Sequence, residues 1–208
     1  YCIVDDAVCV EASKQEVIRR YFKALVDYKN GIAKPSTVQR LEFLMSGLGI
    51  SPSDRKVVSV ARQKNEANGG GGAVALALPD GKIVTGKNTG MMSASAACVF
   101  NAVKVLAGID DGVKLISPYV IGPILDLKTK ILCERENPLT LDEALIALAI
   151  CAATDPNAAR ATEKLAELVG SEAHSSHMLL KADENPFRKL GVNLTCDPEF
   201  LDNTLFNN

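Results

Sequence analysis

The sequence contains no tryptophan, and aromatic residues make up only 5% of its 208 residues. Surfaces that stack single-stranded bases depend on aromatic side chains, so such a surface is disfavoured. An excess of one charge is also missing, because 23 Lys and Arg residues face 25 Asp and Glu residues, for a net charge of −2. This balance gives no broad field for nucleic acid or an anionic membrane, so neither is expected as a partner.

Signatures of membrane insertion, secretion and zinc binding are absent as well. No apolar run approaches the ~20 residues of a transmembrane helix. The chain opens with Tyr1 rather than Met and shows no signal-peptide pattern, so we expect that residues upstream were removed. None of the six cysteines forms a C-x-x-C pair, which excludes a zinc ribbon. We expect reduced thiols in a cytoplasmic protein, although an even number of cysteines would also permit disulfides.

The residues that are present have the composition of an ordinary globular protein, with 47% hydrophobic and 23% charged residues. The hydrophobic periodicity changes after a run of four glycines at 69–72. It is helical before the run and mixed after it. We therefore predict an α/β (α+β) fold with a helical subdomain at 1–72 and an α/β subdomain at 73–208. The second subdomain is expected to hold a mixed sheet with helices on both faces.

The local signals give the expected elements. In the first subdomain, helices are predicted over residues 5–29, 36–47 and 52–68, with Ser36 and Gln39 as a capping box for the second. In the second subdomain, Pro79-Asp80-Gly81 predicts a hairpin between strands at 73–78 and 82–85. Further strands are expected at 115–116, 172–180 and 192–196, and further helices at 93–106, from 118, at 141–152, 156–170 and 185–190.

A candidate anion site lies between the hairpin and the helix that begins near Ser93. The run 81–88 is a near miss to the phosphate-binding loop, but Asn88 replaces the required hydroxyl and Gly81 belongs to the turn. A simpler site is still predicted, because a helix amino terminus favours a phosphate or carboxylate. The candidate ligand-binding residues there are Thr85, Gly86, Lys87, Asn88 and Ser93. The alternative is that the glycines only permit a turn and Ser93 only caps the helix.

A second candidate segment carries the only two histidines, His174 and His177. Their odd spacing on a strand sends them to opposite faces, so no metal site is expected there. Glu172 and His174 share a strand face and could form an acid–base pair. His174 and Lys87 are therefore candidate catalytic residues, with Ser175 as a ligand-binding neighbour. The alternative is a polar strand at a domain edge that has no chemical role.

Several long stretches resemble a conserved bacterial family of unknown function. They are 11–21 (EASKQEVIRRY), 78–87 (LPDGKIVTGK), 146–150 (IALAI), 172–175 (EAHS) and 188–195 (RKLGVNLT). They match the C-terminal half of family members, whose full chains are roughly twice as long. Members are sometimes labelled ATP-dependent zinc proteases, but no zinc-protease motif occurs here. The resemblance implies that an N-terminal half of nucleotide-binding type is the natural partner of this chain.

The same resemblance implies a three-layer mixed-sheet subdomain of cytidine-deaminase-like topology. A deaminase metal site requires Cys or His followed two residues later by Glu, and this sequence has Cys98-Val99-Phe100. The second half of that site, P-C-x-x-C, is missing. Deaminase chemistry is therefore excluded, and fold alone does not supply a function.

The leading hypothesis is a ligand-binding and assembly region of a cytoplasmic protein. A small anionic or nucleotide-type metabolite would lie between this chain and the N-terminal half. One rival is a metal-independent transferase or hydrolase that uses His174 as base and Lys87 to stabilise negative charge. Another is an oligomerisation module in which the Ala-rich helices at 93–107 and 141–152 pack across a symmetric interface. We expect a homo-oligomer, and the sequence indicates no particular cofactor.

Overall fold

The computed structural model describes residues 5–134 and 138–201. The helices are α1 (Asp6–Lys29), α2 (Pro35–Leu48), α3 (Lys56–Ala67), α4 (Ala94–Ala107), α5 (Pro118–Asp126), α6 (Leu141–Ala152), α7 (Pro156–Glu163) and α8 (Lys181–Lys189). The strands are β1 (Ala73–Ala77), β2 (Ile83–Lys87), β3 (Glu172–Ser175) and β4 (Asn193–Cys196). The α/β class predicted from the sequence is confirmed, with a helix-rich first part followed by the sheet.

The four strands form one mixed sheet in the order β2-β1-β3-β4. β1 is antiparallel to both of its neighbours, whereas β3 and β4 are parallel and are connected through α8. One row of paired residues crosses the sheet near its end, and it consists of Gly86, Val74, Ser175 and Cys196. The hairpin and the histidine strand are therefore separated only by β1.

Helices cover both faces of this sheet. Val74 and Leu76 of β1 belong to the main apolar cluster, to which α4 and α6 also contribute. Ala75, between them in sequence, belongs to a separate cluster with Val57 and Ala61 of α3. This alternation follows from the two-residue period of a strand. It produces the three layers that were predicted, whereas the cytidine-deaminase-like topology stays a prediction.

Gly86 allows α4 to lie directly against β2. A Cβ atom on Gly86 would collide with the backbone nitrogen of Cys98 and the backbone oxygen of Ala94. Small residues line this side of α4, and Ala94, Ala96 and Cys98 are all buried. Gly86 is thus required for helix–sheet packing.

The hairpin of α1 and α2 packs against the face that carries α3. Its inner side is a small apolar cluster of Ile18, Phe22, Met45 and Val58. Asp5 caps α1 through hydrogen bonds from the backbone N–H groups of residues 7 and 8. Through Val58 the hairpin is thus held on α3, and α1 also contacts β4 of the sheet.

Several local predictions were wrong. The capping box at Ser36 does not form, because α2 begins one residue earlier at Pro35, whose fixed φ suits the first helical position. The pair 115–116 is buried but makes no strand, since a strand requires a paired neighbour. β3 ends at Ser175 rather than at residue 180, where the chain leaves the sheet. The expected third helix is divided by Arg55 into a short 3-10 turn and α3.

Candidate functional site

The amino end of α4, where an anion was predicted, is capped by the chain itself. Asn88 Oδ1 accepts a hydrogen bond from the backbone N–H of Ala94 at 2.5 Å, and Asn88 Nδ2 donates to the carbonyl of Gly71 at 2.9 Å. Ser93 Oγ accepts from the backbone N–H of Ala96 at 3.2 Å. These N–H groups are the ones that a ligand would use. Asn88 and Ser93 are therefore already engaged.

A buried carboxylate also lies at this helix end. Asp183 Oδ1 accepts hydrogen bonds from Ser93 Oγ at 2.8 Å and from the backbone N–H of Leu141 at 2.7 Å. It therefore bridges the amino ends of α4 and α6, where a helix dipole favours negative charge. Burial raises the pKa of Asp183, while the bonds from Ser93 and Leu141 oppose that shift. An external anion at this place would meet a carboxyl group that already occupies both helix ends.

The remaining residues of the predicted anion site differ in exposure. Gly86 is covered by α4, and Thr85 is half-buried. Lys87 is exposed, and within residues 5–134 and 138–201 its ammonium group makes no ion pair. Among the five residues predicted there, Lys87 is the one whose side chain is both exposed and unengaged.

His174 lies on the same sheet face as Lys87 but in the interior. Thr85, Ala75 and His174 are neighbours in one row of the sheet. Lys87 lies two strands away and two residues further along, so the two backbones are about 12 Å apart by strand geometry. His174 has no exposed surface, and its ring centroid is 4.7 Å from that of Phe22. The two candidate catalytic residues are therefore not brought together.

His174 and its polar partners resemble a general base whose ring is oriented by a carboxylate. His174 Nδ1 is 2.8 Å from Thr195 Oγ1, and Nε2 is 3.4 Å from Asp197 Oδ2 without a well-aligned hydrogen bond. Burial lowers the pKa of His174, and the nearby Asp197 opposes that shift. A neutral ring with its proton on Nε2 would face Asp197 and accept from Thr195. Such a ring could take a proton from a hydroxyl group, but His174 is buried, so a substrate has no route to the ring in this conformation.

Asp197 is also held by a cation on α3. Arg62 donates two hydrogen bonds to its carboxylate, from Nε at 2.9 Å and from Nη2 at 2.6 Å. Burial alone would raise the pKa of Asp197, but the bonds from Arg62 and the contact with His174 bring it to about 2. Asp197 is therefore ionised and paired at neutral pH, which fits a role in holding α3 on the sheet.

A buried arginine connects α3 with the amino ends of β3 and β4. Arg55 is 1% exposed and donates to the carbonyls of Ala173 at 2.9 Å and Asn193 at 2.6 Å. Its Nε donates to Thr195 Oγ1 at 3.1 Å, and its Nη1 forms an ion pair with Glu172. Glu172 is therefore bound to arginine and does not form the acid–base pair with His174 that was considered.

The same carboxylate is bonded to α1. Arg19 Nη1 donates to Glu172 Oε1 at 2.7 Å, and Arg19 also pairs with Glu16. One cluster of charges thus joins α1, α3 and β3. Sequence reasoning did not single out Arg55, Thr195 or Asp197. The signal that could have found Thr195 and Asp197 is the alternation of polar residues at 193, 195 and 197, along the expected strand at 192–196 and just beyond it.

The segments that carry Lys87 and His174 do approach each other at Gly72, through Asn88 and His177. A Cβ atom on Gly72 would lie 2.8 Å from Asn88 Nδ2 and 2.9 Å from His177 Cε1. His177 Nδ1 is 3.4 Å from the hydroxyl oxygens of Ser175 and Ser176. Burial lowers the pKa of His177 to about 4, so its ring is neutral at pH 7. Ser175 is fully buried, which removes it from contact with a ligand in this conformation.

Among residues 5–134 and 138–201, no three His, Cys, Asp or Glu side chains cluster closely enough to hold a metal ion. In the same part of the chain, no helix has both the length and the apolar character needed to cross a membrane.

Comparison with known proteins gives two family matches. The C-terminal model of the domain of unknown function DUF1846 matches residues 53–206, and the N-terminal model matches residues 1–49. A UPF0371 protein of Streptococcus thermophilus is 48% identical over 206 residues, and one of Streptococcus pneumoniae is 49% identical over the same length. Each alignment covers 99% of this chain and 42% of the relative. The chain therefore spans about two fifths of the length of the curated relatives it matches.

Proposed function

Because the chain belongs to the DUF1846 family, we propose that it is the ligand-binding and assembly region of a larger bacterial protein and works with an N-terminal half. The observation that carries the assembly role is the contact of α1 with the sheet. α1 and α2 lie within the N-terminal family match, and β3 lies within the C-terminal one. The ion pair of Arg19 and Glu172 at 2.7 Å crosses that boundary.

Two further contacts support this role. Gln15 Nε2 donates to the carbonyl of Asp54 at 3.2 Å, and the ring of Phe22 packs on His174. Both again join a residue of the N-terminal match to one of the C-terminal match. Such contacts fix the last helices of one family domain on the body of the next.

The ligand part of the proposal now depends on a smaller group of residues. Asn88 and Ser93 cap α4, so the anionic metabolite would contact Lys87 and groups supplied by the N-terminal half. Lys87 is exposed and unpaired in the described ranges, and it lies at the end of the sheet near Gly72. Ligand sites are frequent between domains, which favours this location.

Isothermal titration tests the ligand proposal. The full-length protein, with the N-terminal half preceding this chain, is titrated with ATP, ADP and inorganic phosphate. We expect binding to the full-length protein and at least tenfold weaker binding to the Lys87→Gln variant. Lys82→Gln, which removes another exposed lysine from the opposite end of the hairpin, is the matched control and should bind normally. Flat traces for the unmodified full-length protein would remove the ligand proposal.

The two rival functions have less support. A transferase or hydrolase with His174 as base would need a route to a ring that has no exposed surface. An oligomerisation module built on both Ala-rich helices would need α4 at the surface, but most of α4 is buried against Gly86 and the core. α6 keeps an exposed apolar side at Ile146 and Ile150, so it is the better of the two helices for such a contact.

A further inference from the structure

The α1–α2 hairpin exposes an unusually large share of apolar side chains. Seven of the eighteen exposed large hydrophobic side chains lie in residues 5–49, which are less than a quarter of the described chain. On α2 they are Phe43, which is 83% exposed, with Leu44 and Leu48. Scattered apolar residues are normal at a surface, but a concentration on one element marks a contact surface.

A groove runs between the two helices, and of these exposed apolar side chains Leu44 lines it. Its volume is about 380 Å³, and it is lined by Ala12, Ser13, Glu16, Val17 and Arg20 of α1 and by Leu41 and Leu44 of α2. The small side chains at 12 and 13 let another backbone approach α1 closely, because the distance between packed helices depends on side-chain size. Glu16 and Arg20 add a charged edge. The groove has the form that receives an amphipathic helix.

We propose that this groove binds an amphipathic helix from the N-terminal half of the full-length protein. The inference rests on the assembly part of the proposed function and does not require a bound ligand. The N-terminal family match ends at residue 49, immediately after α2. The curated relatives have more than half of their length outside the matched stretch.

The division of contacts within the hairpin favours this occupant over a second copy of the chain. The inner side of α1 and α2 already packs on Val58 of the C-terminal match. The rest of the N-terminal domain therefore has the groove, rather than this inner side, available for contact with its own last two helices. A domain normally buries its helices in one shared core, which the outer apolar side chains would complete.

Leu44→Asp tests the inference in two proteins, the 208-residue chain and the full-length protein. In the chain, Leu44 is half exposed, and the substitution should lower Tm only slightly. In the full-length protein it would bury a charge against the docked helix, so Tm should fall by at least about 5 °C more than in the chain. The control is Val169→Asp, at an exposed apolar position outside the hairpin, which should change Tm by a similar amount in both proteins.

Amide hydrogen exchange supplies a second measurement that needs no variant. We expect the amides of residues 41–48 to exchange at least about tenfold more slowly in the full-length protein than in the isolated chain. Equal exchange, or equal Tm changes for Leu44→Asp in both proteins, would overturn the inference. An isolated chain that is dimeric and becomes monomeric with Leu44→Asp would assign the groove to a second copy instead. A failed ligand titration would leave all of these results unaffected.

Discussion

At the scale of single residues, the requirement for glycine at position 86 can be tested directly. Gly86→Ala places a Cβ against backbone atoms of α4, which cannot move without shifting the helix. We expect a loss of about 2–3 kcal/mol in the free energy of unfolding, measured by urea denaturation. Gly47→Ala is the control, because Gly47 lies inside α2 with open space around it. That change should be neutral or stabilising by up to about 1 kcal/mol.

The buried imidazole of His177 predicts a dependence of stability on pH. Its pKa is about 4 in the fold, below its usual value of about 6.5. The fold therefore favours the neutral ring, and its contribution is complete above pH 6.5 and is lost as pH falls towards 4. The shift corresponds to at most about 3 kcal/mol.

NMR titration of the two imidazole Cε1–H signals should show the His177 ring neutral at pH 5.5. The free energy of unfolding of His177→Gln should fall less than that of the unmodified chain between pH 6.5 and 4. A His177 signal that titrates near pH 6.5, or parallel pH profiles for the two proteins, would contradict the proposed burial effect.

Two residues show where sequence reasoning about the site stopped. The helix signal at Ser93 was read correctly, because capping depends on local sequence. The carboxylate of Asp183, ninety residues away, then occupies the position that the sequence offered to a ligand. No local pattern indicates which distant side chain will arrive there, so the anion site could be predicted but its internal occupant could not.

At the scale of elements, Arg55 determines how α3 and α1 meet the sheet. Arg55→Ala leaves Glu172 and two backbone carbonyls without their buried donor. We expect a loss of about 3–5 kcal/mol in the free energy of unfolding, because one partner of a buried pair is removed. Arg20→Ala breaks an exposed pair with Glu16 and should cost less than about 1 kcal/mol. Similar losses in the two variants would argue against a special role for the buried arginine.

The elements that local chemistry determines were predicted well. Pro79-Asp80-Gly81 located the hairpin, and the helix predicted at 141–152 is α6, which Thr140 and Glu143 cap. The predicted length of β3 was wrong because pairing ends where Ser176 donates to the carbonyl of Ala73 and the chain then turns away. The length of a strand depends on how many backbone groups of the neighbouring strand are available for pairing, and the local sequence does not contain that information.

At the scale of the whole molecule, the thiols report on global unfolding. Cys133 is exposed, whereas burial raises the pKa of Cys98 and raises that of Cys196 to about 12. We expect iodoacetamide to label Cys133 in the native chain within minutes and to label Cys98 only at the rate of unfolding. Mass spectrometry of tryptic peptides measures each site. Rapid native labelling of Cys98 would show that α4 separates from β2 without global unfolding.

The family boundary between residues 49 and 53 does not coincide with a place where contacts between the two parts are few. A protein truncated to begin at residue 53 would lose Phe22 from above His174 and Arg19 from beside Glu172. It would thus present a bare imidazole and a half-neutralised carboxylate to water on one side of its sheet. Truncated proteins of this family should therefore begin before α1, so that α1 and α2 stay attached to the domain that follows them.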